Sequence, residues 1–211
     1  MSEHVIVTIA RQHGSGGRAV GKLLAQKMGV ECYDRKLLQL AADESGVAES
    51  LFGRQDEIKR PTLLSRITKN VYAGELIGPS HPDYLTEANL FNLQAKVISD
   101  LAEAESCVII GRCADHILKH KANVVRVFIY APRPYLIHTV IRRDHLEPKD
   151  AEKCVLKIDR QRGEYYRFHT GKDWADAHNY DLCLDSSRLT PEQCVDVIRA
   201  YIDIKGLGRE E

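Results

Sequence analysis

The stretch "TIARQHGSGGRAVGKLL", Thr8 to Leu24, constrains the fold more than any other part of the chain. An apolar run leads into a glycine-rich turn, and Val20, Leu23, Leu24 and Met28 then follow helical spacing up to a stop at Gly29. A strand, a tight turn and a helix in this order place backbone N–H groups and the positive end of a helix at one point. Anions bind there without help from side chains. The predicted phosphate-holding residues are His13, Gly14, Ser15, Gly16, Gly17, Arg18 and Ala19.

The loop lacks two parts of a Walker motif. With Gly14-Ser15-Gly16 laid over the usual Gly-x-Gly, Gly17 takes the lysine position and Arg18 and Ala19 follow. A shift of one residue puts Arg18 at the lysine position and leaves Ala19 where a hydroxyl should hold magnesium. Arg18 is also a poor residue for a helix start, where acids are favoured. Facing a phosphate would explain it; a solvated arginine on an ordinary turn is the alternative.

Four more apolar runs read as strands: 31–33, 107–110, 124–131 and 180–185, with the first at 4–10. They are continuous rather than alternating, as in parallel strands covered on both faces. Helical patterns separate them. One helix begins near Thr86, and the last opens with Thr190, Pro191 and Gln193, an N-cap, a first-turn proline and a capping-box partner. The expected fold is a single α/β domain with a five-stranded parallel sheet flanked by helices and an arginine-rich helical lid. Residues 53–85 and 142–173 fit the layers poorly, and are expected to form a substrate-binding insertion and that lid.

The chain has 211 residues, 44% of them hydrophobic, with 30 basic and 30 acidic side chains in balance. A balanced charge argues against general nucleic-acid binding, so any phosphate site is local. The six cysteines are scattered without a C-x-x-C pair. No signal peptide and no membrane-length apolar stretch is seen, which points to the cytoplasm. Cys113, His116 and His120 are spaced suggestively but lack a fourth ligand, and no metal site is predicted.

Three further sets of residues bear on chemistry. Asp34 follows the second strand and reads either as an acceptor-site carboxylate or as a helix N-cap. Arg112 follows "IIG" at the tip of the third strand, where it could clamp a phosphate bidentately or pair with a structural carboxylate. In "KIDRQRGEYYRFH", Arg160 and Arg167 share a helix face and Arg162 lies to one side. Such arginines can neutralise a transferring phosphoryl group, or simply belong to a salt-bridged surface helix. Arg142 and Arg143 precede them, and Trp174 reads as an anchor for the lid's return.

The segment "VTIARQHGSGGRAVGKLLAQKMGVECYDRKLL" resembles the opening of the cytidylate kinase-like proteins, a branch of the P-loop nucleoside monophosphate kinases. The likeness continues through "VIIGRCADHIL", "VFIYAP" and "YDLCLDSSRLTPEQCVDVIRAYI". It implies an enzyme that moves the terminal phosphoryl group of ATP to a nucleoside monophosphate or another small phosphorylated acceptor. Magnesium would be held mainly through water and phosphate oxygens. Arg18, Arg112, Arg160 and Arg162 would be catalytic, and Asp34, Arg112 and Arg167 would bind the acceptor. Cys113 stands where similar kinases carry an aspartate. A nucleotide-binding regulatory module without catalysis, or a kinase for a non-nucleotide acceptor, are the other readings.

Overall fold

The computed structural model describes residues 4–53, 78–81 and 83–208. Its strands are β1 (Ile6–Arg11), β2 (Glu31–Tyr33), β3 (Cys107–Ile110), β4 (Val124–Tyr130) and β5 (Leu182–Asp185). They form one sheet in the order β2-β3-β1-β4-β5, with every pair parallel. β1 is therefore central, with Ile9 opposite Ile110 of β3 and Arg11 opposite Ile129 of β4. The helices are α1 (Gly17–Met28), α2 (Lys36–Ser45), α3 (Glu49–Gly53), α4 (Glu87–Ala104), α5 (Ala114–Ile117), α6 (Arg133–Asp144), α7 (Pro148–Thr170) and α8 (Pro191–Ile204).

Alternate residues of the central strands serve two cores, which is why their sequences are apolar throughout. Val7, Ile9, Val108, Val127 and Ile129 pack with Val20 and Leu24 of α1 and Val195 and Ile198 of α8. Ile6, Cys107 and Ile109 pack with Leu37 and Leu38 of α2 and Ile98 of α4 on the opposite face.

The strand limits differ slightly from the apolar runs. β1 begins at Ile6 rather than His4 and includes Arg11, and β5 begins at Leu182 rather than Tyr180. Before β5 the chain leaves a turn of 3-10 helix at Ala177–Asn179. The Asp181 carboxylate there accepts the Arg126 N–H at 2.8 Å, so a side chain takes the first place in the ladder. The helix signals hold where they were clearest. Thr86 caps α4, and Thr190 and Gln193 form the capping box of α8.

Residues 142–173 comprise the end of α6, a short turn and the 23-residue α7. The start of α7 packs Ala151 and Val155 against Leu136 and Val140 of α6. Its later turns cross the carboxyl edge of the sheet, where Tyr166 donates to the buried Asp115 carboxylate at 2.6 Å. Trp174, just beyond, meets Phe128 of β4 edge-on with ring centres 5.2 Å apart. Most of the expected insertion at 53–85 lies outside the described residues. Among the described residues, no helix is long and apolar enough to cross a membrane.

Candidate active site

β1 ends at Arg11, and the chain turns through Gln12–Gly16 into α1. The turn is fastened to β4 on both sides of Gln12. Its N–H donates to Ile129 O at 3.0 Å, and its Oε1 accepts the Ala131 N–H at 3.1 Å. Gly14 and Gly16 have φ of 88° and 76°, the left-handed region that glycine occupies without penalty. A Cβ at Gly14 would fall 2.6 Å from Leu136 O of α6, whereas one at Gly16 would meet nothing within 4 Å. One side of the loop is thus packed and the other open. α1 starts with no acid in its first turn and no side-chain cap, leaving its dipole to attract an external anion.

Ser15 is buried, donates to Gln12 O at 2.9 Å and accepts the Gly17 N–H at 3.4 Å. Its hydroxyl braces the turn from within. The loop therefore offers no outward hydroxyl to a metal, and a magnesium ion here would be held through water and the oxygens of a bound anion. Among the described residues, no group of three or more His, Cys, Asp or Glu side chains is placed to hold a metal ion.

Arg18 does not turn toward the loop. Its Nε lies 2.5 Å from Asp34 Oδ2, at the end of β2. The N-cap alternative for Asp34 fails, because Arg35 occupies that position of α2 and the helix has no side-chain cap. Asp34 is engaged by an arginine that sequence spacing assigns to phosphate.

At the tip of β3, Gly111, Arg112 and Cys113 are all left-handed, with φ of 75°, 60° and 54°. Two successive non-glycine residues in that region hold local strain, of about 1–2 kcal/mol each. The run brings Arg112 beside Arg11, at the end of β1. Arg112, Arg11 and Arg162 line one cavity of about 50 Å³, together with Gln161, Tyr165 and Trp174.

α7 walls this cavity with Gln161, Arg162, Tyr165 and Tyr166. Val155, Asp159, Arg162, Tyr166 and His169 follow helical spacing along its inner side. Asp159 Oδ1 accepts the His13 N–H at 2.7 Å, and Arg162 Nη1 donates to Arg11 O at 3.0 Å. Burial pushes the Asp159 carboxyl up to about 6 despite that amide and the neighbouring Arg162 and Arg11. Burial, with Arg143 and Arg162 nearby, holds the His13 imidazole down to about 4. The outward side of α7 carries the other arginines. Arg160 and Arg167 do share a face, as their spacing predicts, but it is the exposed one. Arg160 Nε is 3.9 Å from Glu164, and it is Arg162, two residues on and so roughly across the helix, that reaches the end of β1. Of the earlier pair, Arg143 contacts His13 Nε2 at 3.1 Å, while Arg142 is exposed.

A second cavity, of about 360 Å³, flanks the other side of the loop. Gly14, Ser15 and Gly16 form one wall, Tyr135 and Thr139 of α6 another, and Ser186–Thr190 the third. Of these residues, the sequence points to Gly14, Ser15 and Gly16 alone as a binding wall; Tyr135, Thr139 and Ser186–Leu189 carry no such signal of residue type, and Thr190 reads as a helix cap. The available signal was position alone: "DSSRLT" lies just beyond the carboxyl end of β5, where open α/β sheets bind ligands.

A model of the cytidylate kinase-like family matches residues 6–188. A cytidylate kinase from Methanosarcina mazei is 26% identical over 205 residues, covering 93% of this chain and 96% of its own length. A crystal structure of an uncharacterized protein from Eubacterium ventriosum superposes with a TM-score of 0.69 at 26% identity, covering 95% of this chain and 99% of that one. Shikimate kinase from Bacteroides thetaiotaomicron shares the fold with a TM-score of 0.54 at 15% identity, covering 94% and 98%.

Proposed function

The chain belongs to the cytidylate kinase-like family, and from that membership we propose that it moves the terminal phosphoryl group of ATP to a nucleoside monophosphate of cytidylate type or to another small phosphorylated acceptor. The observation that carries this reading is the open side of the loop at Gly16, at the start of α1, with one cavity along Gly14–Gly16 and another beside Arg11, where β1 enters the loop. A donor nucleotide fits with its base end in the 360 Å³ cavity and its phosphates along Gly14–Gly17. The acceptor approaches from the side of Arg112 and Asp34.

In the transfer, an acceptor phosphate oxygen attacks the terminal phosphorus as the bond to the bridging oxygen breaks, and the nucleoside diphosphate departs. An ionised acceptor oxygen needs no base. The chain must instead align the two oxygens and balance charge on the moving group, which electrostatic preorganisation achieves. Arg112 suits the acceptor phosphate, since a guanidinium can donate to two oxygens at once. Arg162 suits the moving group, because its bond to Arg11 O already fixes it beside the loop. Arg160 and Arg167 act at the outer surface of α7, and reach substrate only if that helix shifts on binding. Magnesium, when it arrives with the nucleotide, screens the phosphate charge.

A kinase for a non-nucleotide acceptor is the second reading, favoured by the small volume, about 50 Å³, of the arginine-lined cavity. Incubation with magnesium-ATP and a panel of nucleoside and sugar monophosphates, followed by ADP release, separates these readings. Turnover with cytidylate-type acceptors supports the first. ATP binding without ADP release for any acceptor would leave a nucleotide-responsive module and defeat both.

A further inference from the structure

The Walker spacing, glycine then four residues then glycine-lysine, puts the second glycine at Gly16, the lysine at Gly17 and the first glycine at Arg11. The chain departs from the motif at both of the last two positions, and the departures meet in space. A Cβ at Gly17 would fall 2.5 Å from Arg11 Cβ and 3.1 Å from Arg11 Cγ. No real side chain tolerates such an approach. The stem of Arg11 therefore occupies the volume in which a lysine at 17 would root. Its guanidinium extends to Gly111 at the tip of β3, where any Cβ would collide with Nη1, and it shares the small cavity with Arg112 and Arg162.

We propose that Arg11 is the catalytic cation of the loop, holding the outer phosphates of the donor, and that Gly17 is its steric complement. The charge is not lost from this loop; it enters from the end of β1 rather than from the start of α1. Arg18 is a weaker candidate because its side chain runs to Asp34 at the end of β2. The single lysine of the stretch, Lys22, is exposed and lies beyond the first turn of α1. Arginine also brings a planar fork in place of a point charge, suited to gripping two phosphate oxygens at once. The proposal rests on the phosphotransferase reading above.

The test compares ATP and AMP affinity by calorimetry, with turnover and melting temperature, in the full-length protein. Arg11→Met keeps the stem and removes the charge. It should weaken ATP binding by roughly ten- to a hundred-fold, the cost of a charged hydrogen bond, and change AMP binding little. Gly17→Lys alone should lower the melting temperature, because two stems compete for one space. The pair Arg11→Gly with Gly17→Lys should recover much of the ATP affinity lost in Arg11→Met. A folded Arg11→Met protein with unchanged ATP affinity and turnover overturns the role of Arg11 and leaves the transferase reading standing. If Arg11→Met does not fold, a folded paired variant with no preference for ATP over AMP overturns it equally. Failure of the wild-type protein to bind ATP at all overturns the transferase reading and this inference with it.

Discussion

Arg18 Nε lies 2.5 Å from Asp34 Oδ2, so the first turn of α1 is tied to the end of β2. The Arg18 side chain is 51% exposed, and a pair in that setting contributes only about 0–1 kcal/mol to stability. Its importance lies in placement. The two residues join the start of α1, at the glycine loop, to the end of β2. Arg18→Ala and Asp34→Ala should each lower acceptor turnover with little change in melting temperature, and the double variant should lose no more than the worse single. Additive losses in kcat/KM would show that the two side chains act separately.

Gly14 and Gly16 separate folding from binding. Gly14→Ala should lower stability by about 2 kcal/mol or more, because the methyl group meets Leu136 O as well as an unfavourable φ. Gly16→Ala carries only the φ cost, about 1–2 kcal/mol, and places its methyl on the open side of the loop. Thermal melts should show the larger loss at Gly14. Titration with ATP should show the specific binding loss at Gly16, and equal behaviour at both positions would contradict the open-side assignment.

Arg112 sits at φ 60°, which allows its chemistry to be separated from its backbone. Arg112→Gly should be more stable than Arg112→Ala by about 1 kcal/mol, since glycine relieves the left-handed strain. Both should keep ATP affinity and lose acceptor turnover. Arg112→Lys should restore turnover only in part, for it keeps the charge without the fork. Normal turnover in the glycine variant would remove Arg112 from the acceptor site.

His169 stacks on Phe91 with ring centres 4.0 Å apart, and burial holds its imidazole down to about 3. The unfolded chain takes up a proton there as pH falls past the ordinary 6.5, while the folded chain does so only near 3. Across that window the folded state loses up to about 1.4 kcal/mol per pH unit from this group. His169→Phe keeps the stack and removes the titration. Its stability advantage over wild type, read by denaturant unfolding, should grow steadily as pH falls from 7 to 4. A constant difference would mean that His169 is not the group responsible.

The sheet was legible because burial on both faces leaves uninterrupted runs such as "CVII", and the caps at Thr86 and Thr190 act through neighbours three residues away. The glycine loop was legible for the same reason. What escaped was side-chain direction. Asp159 meets His13 over 146 residues of chain, and the collision that makes Gly17 obligatory comes from Arg11. Period counting placed Arg160 and Arg167 together correctly, yet could not tell the inner side of α7 from the outer. That choice is made by Tyr166 and His169, which bury against Asp115 and Phe91.

The central place of β1 also has a consequence for how the molecule is made. Its two neighbours, β3 and β4, begin at Cys107 and Val124, so β1 has no strand to pair with until the chain has been made as far as Cys107. At ordinary elongation rates that wait is on the order of ten seconds. During it, "VIVTIA" is an unpaired apolar edge, the kind of segment that chaperones retain and aggregates recruit. A nascent chain arrested before Cys107 should therefore remain open to protease along β1, while one arrested after Tyr130 has emerged should protect it. The central strand of the sheet waits on both of the strands that flank it.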